Sequence, residues 1–184
     1  MPRSTTTDWV RWTVPTAIVM SIAPAAYATR YLTVEEAQRL AFPAATRFVE
    51  AHVIFRASDV AAIERLSEQK VRTRGQQVWR AQADGRLLGF FVIDYVIGKH
   101  LLIDYSVALE PDGRVKGVEV LEYRESYGSE ITSHSWLRQF VGKTGRDQIT
   151  IDKDIRNISG ATLSSQHVTE GVKRILAVYE TCLR

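Results

Sequence analysis

The spacing of apolar and polar positions shifts along the chain, and each shift predicts a change of element. In Tyr31-Leu-Thr-Val-Glu-Glu-Ala-Gln-Arg-Leu-Ala-Phe42, Thr33 stands three residues before Glu36. That is capping-box spacing, so a helix is expected to start there and to stop near Pro43. Val60, Ile63 and Leu66 recur at helical spacing behind Ser58, which predicts a second helix capped by that serine. From Gln76 to Glu122 the pattern becomes strand-like. Gln77–Ala81, Leu87–Val96 and Leu101–Leu109 are rich in β-branched and aromatic residues, with Asp84-Gly85 and Pro111-Asp112-Gly113 as tight turns. Leu101–Leu109 is expected to pair with Val115–Tyr123 across the second turn. Ser133–Phe140 reads as a short helix closed by Gly142-Lys143-Thr144-Gly145, and Gln148–Asp152 as a brief strand. In the last segment, Leu163–Leu183, the positions Val168, Val172, Ile175, Leu176 and Tyr179 form one apolar helical face.

Helices, then antiparallel strands, then a terminal helix make an α+β fold: a mainly antiparallel sheet with N-terminal helices and a C-terminal amphipathic helix. The organisation expected is a helical segment over 29–75 and a main domain over 76–184. The first 28 residues read differently. A polar start carrying Arg3 and Arg11 precedes an apolar stretch broken by Pro15 and Pro24, ending in Ala26-Tyr27-Ala28. This is the form of a secretory signal peptide, with an uncleaved N-terminal anchor as the alternative. It places the protein in the periplasm or on the outer face of the cytoplasmic membrane.

Composition narrows the function classes. The 184 residues are 45% apolar and 24% charged, enough for a sizeable core, and the net charge of +3 is spread evenly. No arginine-lysine block is interleaved with aromatics, which argues against a nucleic-acid partner. His52, His100, His134 and His167 are scattered without metal-ligand spacing, so no metal is expected. Cys182 is the only cysteine, and no internal disulfide can form.

The chemistry concentrates in Ile158-Ser-Gly-Ala-Thr-Leu-Ser-Ser-Gln-His167. This run falls where the last helix begins, and the first N–H groups of a helix lack intrahelical partners while its dipole favours negative charge. Ser159, Gly160, Ala161 and Thr162, with Leu163, Ser164 and Ser165 behind them, therefore suit a phosphate. The plainer reading is that serine and threonine simply cap the helix. A serine nucleophile assisted by His167 is the weaker alternative, because the G-x-S-x-G elbow is missing.

The run I-S-G-A-T-L-S-S, followed by a helix, closely resembles the signature of the FMN-binding domain family. Its members include flavoprotein subunits of sodium-pumping quinone reductases and Rnf electron-transport complexes, and small exported flavoproteins. Glu122-Tyr-Arg-Glu125-Ser-Tyr-Gly128, then Trp136 and Phe140-Val-Gly-Lys143, resemble further family features: a glutamate-led loop, a W-x-x-x-F helix and a G-K turn. The resemblance covers roughly residues 85–180 and is nearest to the small exported members. It implies FMN attached by a phosphoester to Thr162, a periplasmic flavin transferase that installs it, and electron relay with a membrane or periplasmic redox partner rather than stand-alone catalysis. It also implies a flavin neighbourhood that includes Glu125, Ser126, Tyr127 and Gly128, with Tyr123 and Lys143 as further neighbours. The family's usual aspartate six residues before the threonine is Arg156 here, with Asp154 two residues earlier, and Tyr127 replaces the loop proline. Arg156 motivates the alternative of a binding or sensory module of the same fold that lacks flavin or holds it non-covalently.

Overall fold

The computed structural model describes residues 28–184. The signal peptide expected over residues 1–28 lies, apart from Ala28, outside the described residues. Six strands form one sheet: β1 (Thr29–Arg30), β2 (Arg47–Ile54), β3 (Gly75–Ala83), β4 (Arg86–Ile97), β5 (Leu102–Leu109) and β6 (Val115–Tyr123). Their spatial order is β1-β6-β5-β4-β3-β2, and every neighbouring pair is antiparallel. The helices are α1 (Val34–Ala41), α2 (Ala57–Ser67), a single turn α3 (His134–Leu137) and α4 (Thr162–Val178). The α+β class expected from the sequence is the class observed.

The capping box at α1 is present as predicted. Thr33 Oγ1 accepts from the Glu36 N–H at 3.2 Å, and the Glu36 carboxylate accepts from the Thr33 N–H at 2.8 Å. At α2 the expectation is corrected: Ser58 is not the cap. The helix begins two residues earlier than a Ser58 cap would place it, at Ala57 after Arg56, whose N–H donates to the Asp59 carboxylate at 2.9 Å. Asp59 satisfies the end of this helix more effectively than a serine inside its first turn.

Two further corrections concern strands. Residues 29–75 are not wholly helical, because Arg47–Ile54 forms β2 and pairs with β3 over eight residues, from Arg47↔Gln82 to Ile54↔Gly75. As an edge strand it packs on one side only, so its half-exposed residues blur the alternation that marks inner strands. Conversely, Gln148–Asp152 is not a strand. Ile149 and Asp152 have φ of 39° and 62°, and only an isolated bridge joins Ile151 to Ile155. The Asp154 carboxylate accepts from the N–H groups of Ile149 at 3.0 Å and Thr150 at 2.7 Å, which winds this segment into a turn.

The core lies between the sheet and α4. Val168, Val172, Ile175, Leu176 and Tyr179 are buried, as the periodicity predicts, against Val92, Val96, Ile103, Tyr105 and Val107. Burial of each large apolar side chain contributes about 1.5–3 kcal/mol, which holds the helix in place. One polar cluster crosses this layer. The Tyr105 hydroxyl donates to Asp94 at 3.0 Å, and Arg174 on α4 pairs with the same carboxylate. The opposite face of the sheet is covered by α1 over Phe91, Ala108 and Leu121.

Candidate functional site

α4 starts in an unusual way for its sequence. The residue at the cap is Ala161, and no side chain bonds the first N–H groups. Serines surround this end, yet the reading of the run as a simple serine or threonine cap does not hold. Ser165 Oγ donates instead to Asn157 Oδ1 at 2.9 Å, and Asn157 Oδ1 also accepts from the Ile158 N–H at 2.8 Å. Asn157 thus ties the entry of the motif to the first turn of the helix. Gly160 has φ of 85°, and a Cβ built there would meet nothing within 4 Å. The approach to the helix end is therefore open, and the exposed Thr162 stands at its first position.

Across from this end lies the loop after β6. Gly128, also at φ of 85°, packs so closely that a Cβ would come 2.7 Å from Ala161 Cβ and 3.0 Å from Tyr123 Oη. The Tyr123 hydroxyl donates to the Tyr127 carbonyl and so fixes the tip of the loop. Burial raises the pKa of this phenol, so it stays a proton donor. Together the loop, the motif and the β4–β5 turn enclose a cleft of about 920 Å3, within the usual size of small-molecule sites.

Of the residues expected at the site, Glu125, Ser126, Tyr127, Gly128, Ser159, Gly160, Ala161, Thr162, Leu163 and Ser164 all line this cleft. Ser165 does not; it is fully buried and committed to Asn157 and to the Thr162 carbonyl. Lys143 does not line it either. Its ammonium lies 2.8 Å from Asp154, and its carbonyl accepts from the Val115 N–H. The G-K turn therefore braces the sheet and the 149–154 turn rather than the cleft. Sequence reasoning missed Lys99, His100 and Leu101, which join the lining because antiparallel pairing returns the β4–β5 turn to the end of β6, and Glu130, which sits in the short turn just after the Glu125–Gly128 loop.

Glu125 has a definite task in this arrangement. Its carboxylate accepts from the N–H groups of His100 and Leu101, the latter at 2.9 Å, so one wall of the cleft is held by the other. Burial pushes its pKa up, but these N–H groups and the nearby His100 outweigh burial, and the net pKa lies below the ordinary glutamate value. A Cβ on Gly98 would come 2.9 Å from this carboxylate and 3.0 Å from Ser164 Oγ. His167 Nδ1, 2.5 Å from the Ile97 carbonyl, ties α4 to the same turn. With His167 engaged there and Ser165 on Asn157, the described residues show no serine-histidine pair for hydrolysis at this site.

The segment before the motif is held through its backbone. Trp136 Nε1 donates to the Arg156 carbonyl at 2.7 Å, and the Arg156 N–H donates to Gln139 Oε1 at 2.9 Å. Trp136 also meets Phe140 edge to face, with centroids 5.3 Å apart, so the W-x-x-x-F pattern forms one support for the motif. The Arg156 side chain is exposed beside a smaller hollow shared with Glu130, Ser133 and Asn157. Asp154 is engaged by Lys143, Ile149 and Thr150.

An uncapped helix end with a permissive glycine, facing a cleft of mixed polar and apolar lining, defines an α+β domain suited to an anionic small molecule such as a nucleotide-like cofactor. Residues 98–177 match the model of the FMN-binding domain family. It is 30% identical over 111 residues, 54% of the chain, to a component of the ion-translocating oxidoreductase complex of Stutzerimonas stutzeri, of which it spans 49%. It is also 30% identical over 111 residues, 55% of the chain, to the corresponding component of the proton-translocating ferredoxin:NAD(+) oxidoreductase complex of Clostridium ljungdahlii, of which it spans 60%. The chain thus spans about half the length of these curated relatives. The fold matches the crystal structure of NqrC from Shewanella oneidensis at a TM-score of 0.54 and 20% identity, over 78% of this chain and 84% of that one. No helix among the described residues is long and apolar enough to cross a membrane.

Proposed function

We propose that this protein is an exported electron-transfer flavoprotein whose FMN is joined by a phosphoester to Thr162. The observation that supports it most directly is the position of Thr162: exposed, at the first turn of a helix with no side-chain cap, on the wall of the cleft. The free N–H groups and the helix dipole would stabilise a phosphodiester there. Leu101, Tyr127 and Leu163 would flank the ring system, and Ser126, Ser159 and Ser164 would offer hydroxyls. Bound FMN supplies one- or two-electron chemistry, and attachment through the phosphate leaves the ring to be tuned by its neighbours. The redox partner is a membrane-held or periplasmic carrier, a role in keeping with relatives that are subunits of oxidoreductase complexes. A periplasmic flavin transferase would install the cofactor after export directed by the N-terminal segment.

The test is expression with and without a flavin transferase, followed by denaturing electrophoresis and intact mass. Flavin fluorescence on the band, with the mass increase mapped to Thr162, is expected only with the transferase, and Thr162→Ala removes both. A dark band and unchanged mass in its presence would overturn covalent attachment.

Arg156 favours a second reading, in which the domain holds FMN without a bond or holds none. An exposed cation stands where family members usually carry an acid, and Asp154 is already engaged elsewhere. Under this reading the native protein yields its flavin to acid precipitation, or is colourless and takes up no added FMN.

A further inference from the structure

The two ends of the sheet differ in character. Antiparallel pairing gathers the turn after β4, the end of β6 and the first turn of α4 at the cleft end. The turns at Asp84-Gly85 and at Glu110–Arg114, bearing mostly charged residues, lie at the other. At the cleft end Tyr95, Ile97 and Leu102 are 51%, 50% and 40% exposed, with Ile97 directly opposite Leu102 in the ladder. None of the three lines the cleft, so a flavin there does not cover them. They stand on the face of the sheet that α1 covers only farther along, over Phe91 and Ala108. Exposed Lys99 and His100 occupy the adjoining turn.

The register of β1 shows where the rest of the chain attaches. Thr29 pairs with Tyr123 and Arg30 with Glu122, so the start of β1 lies at the same end. The preceding stretch, residues 14–28, is predominantly apolar. Thr29, the residue that follows this stretch in the sequence, and the exposed apolar side chains therefore lie at one pole.

We propose that this pole rests on a lipid bilayer surface, with Tyr95, Ile97 and Leu102 entering the interface and Lys99 and His100 at the headgroup phosphates. Tyrosine beside aliphatic residues and a lysine suits the membrane–water boundary. A stable protein interface needs about 800 Å2 per partner, far more than three half-exposed side chains supply. The contact orients the cleft toward the membrane, and it stands whether or not the cleft holds flavin.

The test uses the full chain in a Cys182→Ser background, reconstituted with phosphatidylethanolamine–phosphatidylglycerol vesicles carrying spin-labelled lipids. A fluorophore is attached at Tyr95→Cys or, for the opposite pole, at Asp112→Cys. Quenching at position 95 with none at 112 is expected, and adding Ile97→Thr with Leu102→Thr should abolish it while tryptophan fluorescence remains that of the folded protein. Equal quenching at both positions, or quenching indifferent to the double substitution, would show a tether without orientation and overturn the proposal. Concentration-dependent dimers in lipid-free detergent solution that the double substitution dissolves would assign the patch to a second copy and overturn it as well.

Discussion

Gly128 and Ala161 touch across the base of the cleft, with room for no atom between them: a Cβ on Gly128 would lie 2.7 Å from that of Ala161. The loop after β6 and the motif at the start of α4 are thereby a single unit. Gly128→Ala combines this clash with a left-handed backbone and is expected to cost about 1–3 kcal/mol in denaturant unfolding. Gly160→Ala meets the same backbone restriction in open space, so strain alone, about 1–2 kcal/mol, should appear. The two variants should also differ at the site: the first displaces the loop and weakens flavin retention, whereas the second leaves the loop in place.

Gly171 offers a prediction whose sign runs against helix propensity. Glycine to alanine inside a helix ordinarily gains about 1 kcal/mol. Here an added Cβ would fall well inside contact distance of Tyr105 Oη, which is fully buried and bonded to Asp94. Gly171→Ala is expected to lower stability by about 1–3 kcal/mol through overpacking. Thermal unfolding decides it, and a rise in Tm would refute the close approach of α4 to β5.

Glu125 should make stability depend on pH. Its folded pKa is depressed, so its contribution is complete above the ordinary glutamate value of 4.5 and fades as pH falls through the folded value. Glu125→Gln is therefore expected to lower Tm at neutral pH, with the gap from the parent protein closing under acid conditions. A gap that does not change with pH would mean that the carboxylate charge is not what holds His100 and Leu101.

Asn157 is a positioning residue that the motif itself does not reveal. Asn157→Ala removes the acceptor shared by the Ile158 N–H and Ser165 Oγ, leaving a buried hydroxyl with one partner fewer. The expected cost is about 1–2 kcal/mol in chemical denaturation. Under the proposed attachment of FMN, slower labelling of Thr162 should accompany it, while Asn157→Asp, which keeps the acceptor, restores most of the rate.

Local pattern alone was enough for α1 with its Thr33–Glu36 box, the β5–β6 hairpin and the buried face of α4, since each is encoded by neighbours within a few residues. The motif could likewise be placed at a helix start, and ten residues from it and from the Glu125 loop do meet in one cleft. Tertiary structure decided the rest. β2 exists because β3 offers it an edge, not because Arg47–Ile54 alternates cleanly. Lys143 turned away from the cleft because Asp154 captured its charge, and Ser165 was drawn inward by Asn157. Lys99, His100 and Leu101 reached the site only through the return of β4 into β5, and Glu125 found its partners there across 24 residues or more of chain. Periodicity specifies which face of an element is buried. It carries no record of which distant backbone will come to lie against that face, and the cleft is made from such meetings.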